Sequence, residues 1–206
     1  MKQENITYET FKNIYFIYNK NIKFMKYIKP IYEYGIRDEY ARIGVENFYK
    51  INKNSYVNPH LKNIHLCLDF VVDTIEITNF LDLAAGAGEV TSYLKTKGII
   101  DGIGCDPYLS ETYEKNTGKE CLDESFENIS NNGLNDFYQT IICSYALHLC
   151  DKSYFNNLLY NLALNCEYFV LISPSKYPVI SEDYFQLIDS VIINKSHCKI
   201  FKSTVN

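Results

Sequence analysis

The chain has 206 residues, of which 47% are hydrophobic and 22% charged, and its net charge is −5. This length predicts one domain with an extension, and the hydrophobic content excludes a wholly disordered protein. The acidic balance argues against a general nucleic-acid-binding surface, since Arg37 and Arg42 are the only arginines.

No charge-free run approaches the ~20 residues that a membrane-spanning helix needs, so no membrane contact is expected. The lysine-rich first thirty residues lack the features of a secretory signal, and they are consistent with a solvated terminus or with a targeting or RNA-contacting arm. The seven cysteines include no C-x-x-C pair, so neither a metal site nor a disulfide framework is predicted. Free cysteines within apolar runs favour a reducing compartment, and we expect a cytoplasmic protein.

The predicted elements begin with an amphipathic helix within residues 1–30, where apolar residues are spaced by three and four. The same spacing predicts a helix from Leu61 to Ile75. From residue 80 onward, short apolar runs alternate with helical stretches, which is typical of β-α units around a parallel sheet. Strands are predicted near residues 79–84, 99–105, 119–122, 139–144 and 168–173. Helices are predicted near residues 88–97, 110–116 and 153–165, with an antiparallel hairpin over 184–204.

The segment from Phe80 to Val90 runs from an apolar strand through a turn of small residues into a helix. Gly86 and Gly88 let a ligand approach the backbone because neither has a Cβ. Asp82, at the end of the strand, can accept hydrogen bonds from a cationic or hydroxylated ligand. No Gly-Lys-Ser/Thr follows, which excludes a phosphate-binding Walker loop. The NAD fingerprint fits only in part, because Thr91 occupies its third glycine position and the acid suits a cationic ligand better than a pyrophosphate.

A second acid, Asp106, follows the second predicted strand. It comes after the glycine loop at close to the ~20-residue spacing of an acid that binds ribose hydroxyls. The alternative interpretation makes Asp106 a turn residue before Pro107. Its combination with the glycine loop favours the ribose role.

Together these features resemble the class I S-adenosylmethionine-dependent methyltransferases, seven-stranded and Rossmann-like, over about residues 61–204, in an uncharacterised subgroup. The family motif D-x-G/A-x-G-x-G is similar to residues 82–88, with Ala84 at its first glycine position. The resemblance implies S-adenosyl-L-methionine as cofactor, held by Asp82, Ala84, Gly86, Gly88 and Asp106. It also implies an α/β fold with a doubly wound, mostly parallel sheet, an N-terminal helical cap and a C-terminal antiparallel hairpin.

Two further segments match positions that the family uses. Ser125 and Phe126 lie where the family contacts adenine, although Phe126 could instead belong to the core. After the fourth predicted strand, Ser-Tyr-Ala-Leu-His resembles the family's segment beside the methionine end, where Ser144 would line the site. His148 is a candidate general base because the ordinary pKa of imidazole is near neutral, and the alternative is a packing residue at a helix start.

The residues before the first strand are expected to form a cap, residues 1–60, on a methyltransferase domain, residues 61–206. Tyrosines in the cap could exclude water around a sulfonium, or could simply pack against the sheet. The candidate lid residues are Tyr40, Tyr49, Tyr56, Asn58 and His60.

The predicted function is methyl transfer from S-adenosylmethionine to an unidentified acceptor, with a small molecule favoured over nucleic acid. Asp106-Pro107-Tyr108 is similar to an element of DNA methyltransferases, but it follows the wrong strand and lacks a proline, so no DNA partner is expected. The alternative is a catalytically inactive methyltransferase-like module that works through a protein partner.

Overall fold

A computed structural model of the chain describes residues 36–44, 47–48, 51 and 58–205. The chain divides into two compact units between Phe48 and Tyr49. In the first unit, helix α1 spans Ile36–Ile43, and Arg42 donates to the Glu39 carboxylate one turn earlier at 2.7 Å. The helix predicted within residues 1–30 lies outside the described residues, and the expected domain boundary after residue 60 stays a prediction.

The second unit alternates helices and strands along the chain. Its helices are α2 (Leu61–Thr74), α3 (Glu89–Thr96), α4 (Ser110–Thr117), α5 (Phe126–Asn132) and α6 (Lys152–Leu164). Its strands are β1 (Phe80–Leu83), β2 (Gly102–Cys105), β3 (Cys121–Leu122), β4 (Tyr138–Ser144), β5 (Cys166–Ser173), β6 (Phe185–Ile193) and β7 (Ser196–Ser203).

The strands form one seven-stranded sheet in the order β3-β2-β1-β4-β5-β7-β6. The first five strands pair in parallel, whereas β7 runs antiparallel to both β5 and β6. The predicted doubly wound, mostly parallel sheet with a C-terminal hairpin is therefore confirmed. The hairpin turns at Asn194 and Lys195, whose φ angles of 48° and 70° are those of the tight turns that match strand twist.

Two hydrophobic clusters cover the two faces of the sheet, as a buried parallel sheet requires. On one face, α2 and α3 pack over β1, β4, β5 and β7; the buried residues of α2 are Ile64, Cys67, Leu68 and Val71. On the other face, α6 buries Leu158, Leu159, Leu162 and Ala163. The apolar spacing predicted most of these buried positions, although Leu61, the first apolar residue of the predicted stripe in α2, is exposed.

Helix α5 is an element that the apolar pattern did not predict. It is short and rich in asparagine, a weak helix former. It begins because the Ser125 Oγ accepts a hydrogen bond from the backbone N–H of Asn128 at 3.1 Å, and because Ile129 is buried against the core. Two predicted strands are also shorter than expected: β2 begins at Gly102, since Ile99 still closes the end of α3, and β3 has two residues.

All seven cysteines are free thiols, and six of them are buried. Within the described part of the chain, no group of three or more His, Cys, Asp or Glu side chains is arranged to hold a metal ion. None of the helices in these described ranges is both long and apolar enough to cross a membrane.

Candidate cofactor site

The glycine loop follows β1 directly and has an unusual backbone. Ala84, Gly86 and Gly88 all have left-handed φ angles, of 56°, 58° and 91°. A Cβ on Gly88 would lie 2.4 Å from the Cγ2 atom of Thr117, so glycine is required there both by conformation and by space. Ala84 adopts the same conformation with a side chain, at a cost of about 1–2 kcal/mol.

Asp82 lies beneath this loop and is almost fully buried. Its Oδ2 atom accepts two hydrogen bonds from Thr91, from the backbone N–H at 3.2 Å and from the hydroxyl at 2.9 Å. The Thr91 hydroxyl also forms a hydrogen bond with the Tyr113 hydroxyl, at 2.8 Å. Asp82 therefore joins the end of β1 to the first turn of α3, and its predicted contact with a ligand stays a prediction.

Burial raises the pKa of Asp82 to about 8, because desolvation outweighs the two hydrogen bonds from Thr91. The Glu89 and Asp106 carboxyls also raise it through like-charge repulsion. Burial raises the pKa values of Glu89 and Asp106 as well. The loop is thus surrounded by carboxyls that gain from a nearby positive charge.

Asp106 joins the loop to the end of β2. Its Oδ2 atom accepts a hydrogen bond from the Gly86 N–H at 2.9 Å, and its Oδ1 atom accepts from the N–H groups of Tyr108 and Leu109 at 2.9 and 2.8 Å. The residue therefore shapes the turn before α4 and also contacts the glycine loop. A carboxylate offers about four acceptor positions, so these bonds leave room for one more at Oδ2.

The predicted adenine segment follows β3. The Ser125 Oγ caps α5 by accepting from Asn128, and the Ser125 carbonyl accepts from the Ile129 N–H at 3.0 Å. The hydroxyl can still donate a hydrogen bond to a ligand. Phe126 is partly buried and packs against the core, while Asp123 and Glu124 are exposed. The predicted adenine contacts of Ser125 and Phe126 stay predictions.

The segment after β4 contains a strained residue that the sequence did not single out. Tyr145 follows Ser144 and has a φ angle of 55°, which is rare for a bulky side chain. Its backbone N–H donates to the Ile172 carbonyl of β5 at 2.7 Å, and its hydroxyl forms a hydrogen bond with the Ser196 hydroxyl of β7. His60 stacks on the Tyr145 ring with 4.2 Å between ring centres and an angle of 8°.

The candidate base, His148, lies in a short 3₁₀ turn that spans Leu147–Leu149. Leu147 points into the core, whereas His148 is exposed at the same edge of the sheet as the end of β4. Its catalytic role stays a prediction.

The candidate lid residues differ in how much of them the structure describes. The side chains of Tyr40, Tyr49 and Tyr56 lie outside the described residues. The Asn58 Oδ1 atom accepts a hydrogen bond from the His60 backbone N–H at 2.9 Å, which fixes the start of α2. Of the two candidates whose side chains are described, His60 is the one that contacts the segment after β4.

No family model matches the chain. An uncharacterised protein of Schizosaccharomyces pombe is 25% identical, over 82% of this chain and 92% of that protein.

Several solved methyltransferases share the fold. The N-methyltransferase NodS of Bradyrhizobium japonicum, bound to S-adenosylhomocysteine, has a TM-score of 0.61 at 10% identity, over 77% of this chain and 98% of that one. The magnesium protoporphyrin IX methyltransferase of Synechocystis, bound to S-adenosylmethionine, has a TM-score of 0.54 at 14% identity, over 82% and 94%. An rRNA methylase of Escherichia coli has a TM-score of 0.53 at 14% identity, over 82% and 89%. This chain has the class I methyltransferase fold.

The methyltransferase fold explains why the residues described above meet at one edge of the sheet. In an open α/β sheet, ligands bind beyond the carboxyl ends of the strands where the strand order reverses. Here the reversal lies between β1 and β4, with the glycine loop and Asp106 on one side and Tyr145 on the other. The acceptors of the solved relatives include a porphyrin and ribosomal RNA, so the fold alone does not define the acceptor.

Proposed function

We propose that this protein is an S-adenosylmethionine-dependent methyltransferase. The observation that carries the proposal is the hydrogen bond from the Gly86 N–H to Asp106 Oδ2. It joins a glycine loop to an acid on the adjacent strand, beside the reversal of strand order. A nucleoside with a charged tail requires both groups, because glycines let the tail approach the backbone and the carboxylate binds the ribose hydroxyls.

The residues of the site fit the proposed cofactor in shape and charge. Gly86 presents no Cβ to a ligand, and the Glu89 Oε2 atom lies 3.3 Å from the position that a Cβ would occupy. Asp106 retains an acceptor position for a ribose hydroxyl. Asp82, Gly86 and Gly88 are proposed to hold the methionine end of the cofactor, which Ala84 and Ser144 would border. Asp82 also anchors the loop through its hydrogen bond with Thr91. Ser125 and Phe126 would border the adenine. The surrounding carboxyls favour a cofactor that carries a sulfonium and an ammonium group.

The bound sulfonium supplies a methyl group that is already activated for in-line displacement by a nucleophile. The protein then has to orient the acceptor and exclude water, and orientation alone can supply much of the acceleration. His148 is proposed as the base that takes a proton from the acceptor. Tyr40, Tyr49 and Tyr56, with Asn58 and His60, are proposed to cover the site as part of a cap over residues 1–60.

The acceptor is proposed to be a small molecule. A net charge of −5 disfavours the many phosphate contacts that nucleic-acid binding requires. The seven free thiols favour a reducing compartment, so we propose a cytoplasmic enzyme.

Calorimetric titration with S-adenosylmethionine and S-adenosylhomocysteine tests cofactor binding. Asp106→Ala and Gly86→Val should each weaken binding by more than about tenfold. The first removes the ribose acceptor, and the second puts a branched side chain at a left-handed φ angle, 3.3 Å from the Glu89 carboxylate. Asp101→Ala is the matched control, since it removes an exposed carboxyl at the opposite end of β2. Unchanged affinity in both site variants, with intact unfolding transitions, would refute the proposal.

Transfer itself is tested by incubating the protein with methyl-labelled S-adenosylmethionine and size-fractionated cell extract. Label in the small-molecule fraction supports the proposed acceptor class. Cofactor binding without transfer to any fraction supports the inactive binding module instead. His148→Asn should reduce transfer while leaving cofactor affinity within about twofold.

A further inference from the structure

Four segments meet at the carboxyl edge of the sheet on the β4–β5–β7 side. His60, before α2, stacks on Tyr145 after β4, and Tyr145 is hydrogen bonded to Ser196 of β7. The Asn194 side chain at the hairpin turn donates to Asn63 Oδ1 of α2 at 3.3 Å. The hairpin turn extends beyond the end of β5, because Ser173 pairs with His197. We call this set of segments, residues 58–63, 144–150, 173–176 and 194–197, the acceptor rim.

The acceptor rim contains no aspartate or glutamate, although acids outnumber bases in the chain as a whole. Its charged side chains are all basic, namely Lys62, Lys176 and Lys195, and it also contains three histidines, His60, His148 and His197. The next acid along the chain, Asp151, accepts hydrogen bonds from the Ser153 backbone and hydroxyl at the start of α6.

The cofactor side of the same edge has the opposite charge. The segments after β1, β2 and β3 carry Glu89, Asp106, Asp123 and Glu124. The two halves of the proposed site are therefore electrostatically complementary to two different ligands. The acidic half suits a cation, and the basic half suits an anion.

Two exposed lysines belong to the segments that form the rim. Lys195 is exposed in the tight turn between β6 and β7, where two left-handed residues restrict the backbone. Lys62 is exposed in the first turn of α2, next to the Asn63 that contacts Asn194. Lys176 lies over the ring of its neighbour Tyr177, with 5.3 Å between Nζ and the ring centre, so it is a weaker candidate.

We infer that the acceptor of the proposed methyl transfer is an anionic small molecule, with a carboxylate or phosphate bound by Lys62 and Lys195 beside the stacked His60 and Tyr145. This inference rests on the proposed function, since the rim is an acceptor site only if the adjacent loop binds the cofactor. The anion anchors the acceptor, and the Tyr145–Ser196 hydrogen bond keeps the aromatic wall in place beside it.

The test uses the full chain saturated with S-adenosylhomocysteine, so that only the acceptor side is open. Three probes of similar shape are titrated by ligand-observed NMR: benzoate, phenyl phosphate and the neutral benzamide. Benzoate or phenyl phosphate should bind at least tenfold more tightly than benzamide, and the stronger of the two identifies the anionic group. Binding should weaken with added salt, because the lysines are exposed.

The double variant Lys62→Gln/Lys195→Gln should weaken anion binding by about three- to tenfold, as expected for two exposed ion pairs. Its matched control is Lys115→Gln/Lys119→Gln, which makes the same charge change around the end of α4 and should leave anion binding unchanged. His60→Ala should weaken probe binding, whereas His65→Ala should not, although His65 forms an equivalent stack on Tyr93 at 4.1 Å.

The outcomes separate the inference from the function on which it rests. Equal binding of benzoate, phenyl phosphate and benzamide, or no binding of any probe, in a protein that binds S-adenosylhomocysteine overturns the inference alone. An anion affinity that is unchanged in the Lys62/Lys195 double variant also overturns it. Displacement of benzoate by micromolar single-stranded RNA overturns the small-molecule acceptor. Failure to bind S-adenosylhomocysteine overturns the proposed function, and the inference with it.

Discussion

The buried carboxyl of Asp82 predicts that the cofactor-free protein loses stability as the pH rises. The pKa of this carboxyl is about 8 in the folded protein, against an ordinary value of 3.8. Below pH 4 the carboxyl is protonated in both the folded and the unfolded state, so its ionisation does not change the free energy of unfolding. Between pH 4 and 8 the unfolded chain ionises it while the folded protein does not, so the free energy of unfolding falls by about 1.4 kcal/mol per pH unit. Above pH 8 both states are ionised, and the loss is constant at on the order of 5 kcal/mol.

Asp82→Asn removes this dependence while keeping an oxygen that can accept both hydrogen bonds from Thr91. The variant should therefore be more stable than the wild type, by an amount that grows with pH. Between pH 5.5 and pH 8 the difference in unfolding free energy should increase by on the order of 3 kcal/mol. Glu89 and Asp106 also titrate abnormally, but they are present in both proteins and largely cancel in the difference.

Urea unfolding of both proteins at half-unit pH intervals measures this difference directly. Asp189→Asn, which removes an exposed carboxyl from β6, reports the effect of losing one surface charge. A stability difference between Asp82→Asn and the wild type that stays constant from pH 5.5 to pH 8 would show that Asp82 ionises normally, and would refute the reasoning.

Three further predictions concern the glycine loop. Gly88→Ala should destabilise the protein by about 2–4 kcal/mol, because the new Cβ meets Thr117 and the φ angle is left-handed. Gly98 also has a left-handed φ angle but has open space around it, so Gly98→Ala should destabilise the protein by only about 1 kcal/mol. Equal losses of stability in urea unfolding would contradict the steric argument. Ala84→Gly should stabilise the protein by about 0.5–1 kcal/mol, as the relief of strain exceeds the added unfolded-state entropy; a lower urea midpoint would contradict this. Between pH 6 and pH 8, the affinity for S-adenosylmethionine should rise more steeply than the affinity for S-adenosylhomocysteine. The reason is that the sulfonium favours the ionised form of Asp82, whereas the thioether of S-adenosylhomocysteine is uncharged. Parallel calorimetric profiles for the two ligands would argue against the proposed interaction between Asp82 and the sulfonium.

Local patterns were sufficient for most of the fold. The spacing of apolar residues in α2 and α6 identified their buried faces, and short apolar runs identified the strands of the parallel sheet. Helix α5 was missed because it depends on the Ser125 cap and on burial of Ile129, and neither leaves an apolar repeat in so short a segment.

Local sequence patterns predicted only part of the candidate site. Asp82, Gly86, Gly88 and Asp106 form a motif of fixed spacing, and the structure brings the loop and Asp106 into contact. No pattern pointed to Tyr113 as the partner of Thr91, because that contact joins two helices.

By itself, the sequence determined the class of fold, the position of the glycine loop and the acid that follows β2, since each depends on neighbours along the chain. Only the tertiary structure decided what those groups contact. It buried Asp82 under Thr91, and it brought His60 and Ser196 to Tyr145 from opposite ends of the domain. Such contacts depend on which strands pair and which helices cover them. Because the residues are far apart in the chain, no local sequence pattern links them.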